Sequence, residues 1–186
     1  DLTLLFFDNA PSMISGSIKK PGTTYATDLE PEYIAINDQS TKAAVVCQES
    51  NVLILVDLIN DSILGYKGLG FKDHSIAGNG MDVSNRDNKI KINTWPVKGI
   101  YQPDAISSFH ANGNSYWISA NEGDGRDYSG YSSEVRIKDL TLDTTVFPNA
   151  LELQNDTNLG RLKTFSMDMI GDIDNDGDVD ELYSYG

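Results

Sequence analysis

The stretch that decides the fold class is residues 31–70, PEYIAINDQSTKAAVVCQESNVLILVDLINDSILGYKGLG. Four apolar segments rich in Val, Ile and Tyr follow one another here, at residues 33–36, 43–48, 52–58 and 62–67. Short turns of Asn, Asp, Gln, Ser and Glu separate them, which is the pattern of consecutive antiparallel strands. Four short strands in about 40 residues match the size of one β-propeller blade.

A second copy of this pattern lies further along the chain. Residues 30–36 are echoed at 102–108, and residues 46–49 are echoed at 119–122. In both places a turn with Pro and an acidic residue opens an apolar strand, and a later strand ends beside Glu. Sustained helical periodicity is hard to find elsewhere. The sequence therefore predicts an all-β protein of four-stranded antiparallel blades, here an incomplete portion of a larger β-propeller.

We expect a single propeller portion made of five successive parts. Residues 1–7 read as a strand from the first position, without a starting Met or a signal peptide, so the chain looks processed or partial. Two long segments, at residues 71–101 and 123–160, contain apolar residues such as Trp95 and Phe147, which flexible linkers lack. The predicted parts are the end of a preceding blade (1–30), a blade (31–70), an insertion (71–101), a blade with a long loop (102–160), and strands with a calcium loop (161–186).

The composition excludes several classes of partner and site. The chain has 28 acidic and 14 basic residues and a net charge of −14, which repels phosphate backbones and anionic lipid headgroups, so we expect no nucleic acid partner. Cys47 is the single cysteine, which excludes an internal disulfide and a cysteine zinc cluster; its apolar surroundings predict a buried, inert thiol. The longest aliphatic run, residues 52–56, is too short to cross a bilayer.

The strongest chemical signal is the loop DIDNDGDVD at residues 172–180. Side-chain oxygens at loop positions one, three and five can wrap a hard cation, and Gly177 at position six allows the sharp turn. We therefore expect a bound calcium ion in this loop. Its ligands would be the side chains of Asp172, Asp174, Asp176 and Asp180 and the main-chain carbonyl of Asp178.

The loop differs from a helix-loop-helix calcium site. Its twelfth position is Tyr183 instead of Glu, and a strand-like segment follows at once. A strand-flanked loop fits better, and it resembles the calcium hairpins of integrin-type propellers. The alternative is a solvated acidic turn, although five aspartates within nine residues would repel one another strongly without a cation.

A second set of polar residues lies near the ends of the repeated strands. The glycine-containing loop 121–128 could bind a metal, a sugar or an anion, or it could be a surface turn in which Arg126 pairs with a neighbouring aspartate. Two isolated histidines have no zinc-ligand spacing, and no nucleophile elbow or nucleotide-binding glycine motif is present. The candidate ligands of this second site are Glu32, Asp104, Asn121, Glu122, Asp124 and Asp127.

Eight stretches between residue 29 and the end of the chain match one known family in order. They read LEPEYIA (29–35), LGFKDHS (69–75), WPVKG (95–99), YQPDAI (101–106), ANEGD (120–124), DLTLD (139–143), NLGRL (158–162) and DELYSYG (180–186). The chain thus resembles the choice-of-anchor I family of secreted propeller proteins, which includes animal mesenchyme-specific cell-surface glycoproteins and bacterial alkaline-phosphatase-like proteins. The resemblance implies a larger propeller, export, and residence at the cell surface or in the matrix.

Two functions follow from these patterns. The first is a secreted, calcium-binding propeller that acts as an extracellular binding, adhesion or matrix protein, with an extracellular protein, a glycan or a mineral surface as partner. The alternative is a metal-dependent hydrolase of the phosphoesterase or lactonase type. In that case a cation at the propeller channel, held by Glu32, Asp104, Asn121 and Glu122, would activate a water molecule. The sequence favours the first.

Overall fold

The structure, a computed structural model, describes residues 10–186. These residues form two compact units, the first from residues 10–70, 101–124 and 186, and the second from 71–100 and 125–185. The strand predicted at residues 1–7 lies outside the described residues. None of the helices within residues 10–186 has the length and apolarity that crossing a bilayer requires.

Strands far outnumber helices in the regular secondary structure of the described chain, which confirms the all-β prediction. The α-helices and the 3-10 turns within residues 10–186 are short. The helices are α1 (Tyr25–Asp28) and α2 (Ala150–Leu153), and the 3-10 turns span Ile137–Asp139 and Leu159–Arg161. The strands are β1 (Tyr33–Ile36), β2 (Lys42–Cys47), β3 (Val52–Asp57), β4 (Ser62–Gly68), β5 (Phe71–Asp73), β6 (Lys98–Ile100), β7 (Pro103–Ala111), β8 (Asn114–Asn121), β9 (Asp127–Tyr128), β10 (Tyr131–Ser132), β11 (Glu134–Arg136), β12 (Lys163–Phe165) and β13 (Tyr183–Tyr185).

The first unit contains the four-stranded antiparallel sheet that the sequence predicts for residues 31–70, and that prediction is confirmed. Its strands lie in the order β1-β2-β3-β4. Strand β2 is buried on both faces: Val45 packs with Ile14 and Ile54 on one side, and Val46 packs with Ile106 of β7 on the other. This is why the sequence of β2 is continuously apolar instead of alternating.

The repeat seen in the sequence corresponds to two similar strand pairs. Strand β1 begins opposite the end of β2, with Tyr33 beside Val46. Strand β7 begins in the same way opposite the end of β8, with Pro103 beside Asn121. The sheet of β7 and β8 has two strands within the described residues. The similarity therefore covers one strand pair, and membership of a larger propeller stays a prediction.

The second unit is built on a five-stranded sheet in the order β11-β12-β13-β6-β5. Neighbouring strands in this sheet are antiparallel, except for the parallel pair of β13 and β6. Residues 71–101, predicted as an insertion, supply β5 and β6. Residues 102–160, predicted as one blade, supply β7 and β8 to the first unit and β9, β10 and β11 to the second. The hydrophobic core beside this sheet contains Trp95, Val97, Ile137, Leu142, Phe147, Ala150, Leu153, Leu159, Val179 and Leu182.

Candidate metal centre

The aspartate-rich loop lies in the second unit and is held at both ends. The main-chain carbonyl of Gly171 accepts hydrogen bonds from the amides of Asp180 (2.8 Å) and Glu181 (3.1 Å). Val179 near the end of the loop and Leu182 just beyond it are both buried in the hydrophobic core. Hydrogen bonds and core packing therefore fix the main chain at both ends of the loop. This restricts the positions that its carboxylates can reach.

Two glycines make the shape of the loop attainable. Gly171 has φ +125°, and a Cβ there would lie 2.7 Å from the carbonyl oxygen of Glu181. Gly177 has φ +101°, a conformation that other residues rarely adopt. Its amide donates to Oδ2 of Asp172 at 3.2 Å, so the chain folds back over its own first carboxylate. The predicted role of Gly177 in a sharp turn agrees with this geometry.

Three of the predicted ligands come together at the tip of the loop. Asp172, Asp174 and Asp176 each offer a carboxylate oxygen, and these oxygens lie within 4.8 Å of one another. Main-chain amides orient two of the carboxylates, because Asp176 N donates to Asp174 Oδ1 (3.3 Å) and Asp178 N donates to Asp176 Oδ1 (3.3 Å). A calcium ion lies about 2.4 Å from each of its oxygen ligands, so two ligands on opposite sides of the ion are about 4.8 Å apart. The three carboxylate oxygens are therefore close enough together to contact one calcium ion.

A second group of carboxylates includes a residue that the sequence reasoning missed. Asp178 and Asp180 offer oxygens that lie within 4.8 Å of one another and of an oxygen of Asp143. Asp143 reaches the loop through a short parallel bridge: its amide donates to the carbonyl of Val179 (3.1 Å), and the amide of Val179 donates to the carbonyl of Thr141 (3.0 Å). No spacing rule could find Asp143, because it lies far upstream of the motif.

The carboxylates in this centre influence one another strongly. Partial burial, together with the charges of Asp176, Asp143 and Asp180, raises the pKa of Asp178 to about 6. Local desolvation, together with the charges of the neighbouring aspartates, also raises the pKa of Asp174, although the residue is exposed. By contrast, the hydroxyl and amide of Thr145 each donate to Asp143 at 2.7 Å and lower its pKa. The group thus concentrates negative charge that a bound cation would compensate.

Two carboxylate oxygens in the centre lack the partners that buried polar atoms normally have. Oδ1 of Asp172 and Oδ1 of Asp178 are both inaccessible to solvent, and neither accepts a hydrogen bond from any described residue. Buried oxygens without a donor are costly unless something else satisfies them. A hard divalent cation fits these atoms, because they are anionic and lie among other oxygens.

The second candidate set is more dispersed. Among residues 10–186, the groups of three close metal-ligating acids consist of residues of the aspartate loop and Asp143, so Glu32, Asp104, Glu122 and Asp124 form no such group. Asp104 is exposed on β7, Asn121 ends β8, and Oε2 of Glu122 accepts from Nε2 of Gln48 at 3.2 Å. Asp127 lies in β9, in the second unit, beside the almost fully buried Arg126.

The two histidines lie in separate units. His74 is buried, and its Nδ1 lies 2.6 Å from the carbonyl oxygen of Asn79. His110 is exposed on β7, with Nδ1 3.4 Å from a carboxylate oxygen of Asp38. Each therefore has a local structural contact.

Comparison with known families gives one match over almost the whole chain. The model of the choice-of-anchor I domain matches residues 9–186. No curated protein and no solved structure matches the chain.

Proposed function

The chain belongs to the choice-of-anchor I domain family, and on this basis we propose that it is a calcium-stabilised part of an extracellular binding, adhesion or matrix protein. The observation that carries the proposal is the pair of carboxylate groups formed by one loop and Asp143, where the loop is anchored in a hydrophobic core. A cation bound there would hold the loop against the core, and it would stabilise the folded state because the unfolded chain has no such site.

The donor set of this centre favours calcium over other common metals. Every candidate ligand is a carboxylate, and neither histidine nor cysteine takes part, whereas zinc sites usually contain nitrogen or sulfur ligands. Calcium accepts six to eight oxygens in flexible geometry, whereas magnesium requires a near-ideal octahedron. The ion would be held by Asp172, Asp174 and Asp176, with Asp143, Asp178 and Asp180 as the adjoining group.

The extracellular location is supported by the family and by the acidity of the chain. Extracellular modules bind calcium with dissociation constants of roughly 10⁻⁴–10⁻³ M, close to the concentration of the ion outside cells. We further propose that the sheet β1-β2-β3-β4 is one blade of a larger propeller, since it has the size and antiparallel order of a blade. Loops on such a rigid scaffold are suited to binding an extracellular protein, a glycan or a mineral surface.

Calorimetric titration and thermal unfolding with calcium or EDTA test this proposal. We expect calcium to bind and to raise the melting temperature, by an amount equivalent to about 2.7 kcal/mol when its concentration is 100 times the dissociation constant. Asp174→Asn and Asp143→Asn should each weaken binding at least about tenfold, because each removes an anionic ligand.

Two matched variants control for the loss of one negative charge. Asp168→Asn and Asp139→Asn alter exposed aspartates in the same unit that belong to neither group, and they should leave the affinity within about twofold. No heat of binding and no thermal shift at millimolar calcium would contradict the proposal. Equal weakening by all four variants would show only a general effect of charge.

The metal-dependent hydrolase stays a prediction from the sequence. Its proposed ligands form no group of three neighbouring acids within the described residues. Glu122 accepts a hydrogen bond from Gln48, and Asp104 is exposed on β7.

A further inference from the structure

A cleft of about 460 Å³ in the second unit is lined by basic residues, although the chain as a whole is strongly acidic. Arg136 and Arg161 line it together with Lys163. Its other polar lining residues are Asp82, Asn85 and Tyr185. The volume lies in the usual range of small-ligand sites, about 300–1,000 Å³.

Both arginines are oriented by hydrogen bonds to neutral acceptors. Arg161 Nε donates to Oδ1 of Asn85 at 3.2 Å, and Nη1 of Arg136 donates to the main-chain carbonyl of Arg161. Neither guanidinium has a carboxylate within 4.0 Å in the part of the chain that the structure describes. Each guanidinium has five N–H donors. The contacts above therefore leave most of the donors available to a ligand in the cleft.

The remaining groups define how much negative charge the cleft can accept. Lys163 is paired with Glu134, and Asp82 adds one further negative charge. Within the lining itself, three cationic side chains thus face one carboxylate, and the carboxylates of Glu134 and Asp156, which interact with Lys163 and Arg161, lie outside the lining. This balance suits a single carboxylate, for which a guanidinium is the complementary fork, whereas Asp82 would repel a densely charged polyanion.

The uncharged part of the lining suits a sugar. Asp82 and the amide of Asn85 can accept or donate hydrogen bonds to hydroxyl groups, and the ring of Tyr185 offers an aromatic surface. That ring is held in place by Phe165, with centroids 4.1 Å apart, and its hydroxyl lies 3.1 Å from Oγ of Ser133. We propose that this cleft binds an acidic saccharide, with Arg136 and Arg161 holding the carboxylate of a uronic acid residue.

Calorimetric titration with a glucuronate-containing tetrasaccharide, at fixed calcium concentration, tests the proposal. We expect the parent chain to bind, and we expect Arg161→Gln to lower the affinity at least about tenfold. Arg161→Lys should lower the affinity less, because it keeps the positive charge but loses the paired guanidinium N–H donors. Lys72→Gln removes one exposed cation outside the cleft in the same unit. It should leave the affinity within about twofold.

Two further ligands separate an acidic sugar from a simple anion. The tetrasaccharide whose uronic acid carboxyl groups are converted to methyl esters is uncharged and should not bind measurably, and inorganic phosphate should compete only weakly. Equal binding of the ester, equal affinity for phosphate, or an unchanged affinity of Arg161→Gln with a normal melting curve would each overturn the proposal. Calcium binding by the same samples is measured separately, so a failure here is distinct from a failure of the calcium centre.

Discussion

Cys47 shows how burial of one residue controls its chemistry. The thiol is fully buried in the core of the first unit, and desolvation, together with Glu49, Glu32 and Glu30, raises its pKa to about 12. The thiol therefore stays protonated in the folded chain over a pH range in which the unfolded chain, with a pKa near 9.0, forms the thiolate. Ionisation in that range favours the unfolded state.

We predict that the free energy of unfolding falls as the pH rises from about 9 towards 12, by up to about 1.4 kcal/mol per pH unit from this thiol. The contribution of the protonated thiol to the free energy of unfolding is complete below pH 9, and it is lost as the pH rises through the pKa of Cys47 in the folded chain. Urea unfolding between pH 8 and 10.5 measures it, and Cys47→Ala is the control, because its stability should fall less steeply. Identical slopes for the two chains would refute the prediction.

Among the elements, the hairpin of β7 and β8 leaves one apolar face largely exposed. One face packs Ile106 against the main sheet, but the other face exposes Phe109, Tyr116 and Ile118. The rings of Phe109 and Tyr116 stack with centroids 5.2 Å apart. Within the described residues β8 pairs with β7 alone, and its sequence NSYWISAN contains neither charge nor proline to discourage further pairing.

We predict that this chain self-associates through β8 as its concentration rises, and that Ile118→Lys reduces the association by placing a charge on the exposed face. Sedimentation velocity over a range of concentrations measures this effect. Ile90→Lys is the matched control, because Ile90 is 90% exposed and belongs to no strand. If both variants lower association equally, or neither does, the prediction fails.

On the scale of the whole molecule, the two units should respond differently to calcium. The carboxylate groups and the core that holds them belong to the second unit. Each unit contains one of the two tryptophans, Trp117 in the first and Trp95 in the second. Fluorescence of single-tryptophan variants can therefore report on each unit in turn.

We predict that calcium raises the unfolding temperature reported by Trp95, in the Trp117→Phe variant, more than that reported by Trp117, in the Trp95→Phe variant. A stabilisation of 1 kcal/mol corresponds to roughly 4–8 °C for a unit of this size. Thermal melts with calcium and with EDTA give both values. Equal shifts for the two reporters would contradict the assignment of calcium stabilisation to the second unit.

Much of the first unit could be predicted from local sequence. The four strands of residues 31–70 and their antiparallel order follow from apolar segments and polar turns, because these signals act over a few residues. The aspartate spacing and Gly177 likewise predicted a carboxylate cluster at Asp172, Asp174 and Asp176, since a short loop encodes its own shape.

Contacts between distant segments were decided only by the tertiary structure. Asp143 joins Asp178 and Asp180 because Leu142 pairs with Val179 in the core, and the basic cleft forms because Asn85 and Arg161 meet across the second unit. No local pattern encodes these meetings, since they depend on which buried side chains pack together. The sequence by itself thus determined the strands and the loop motif, whereas packing determined which remote side chains complete the candidate sites.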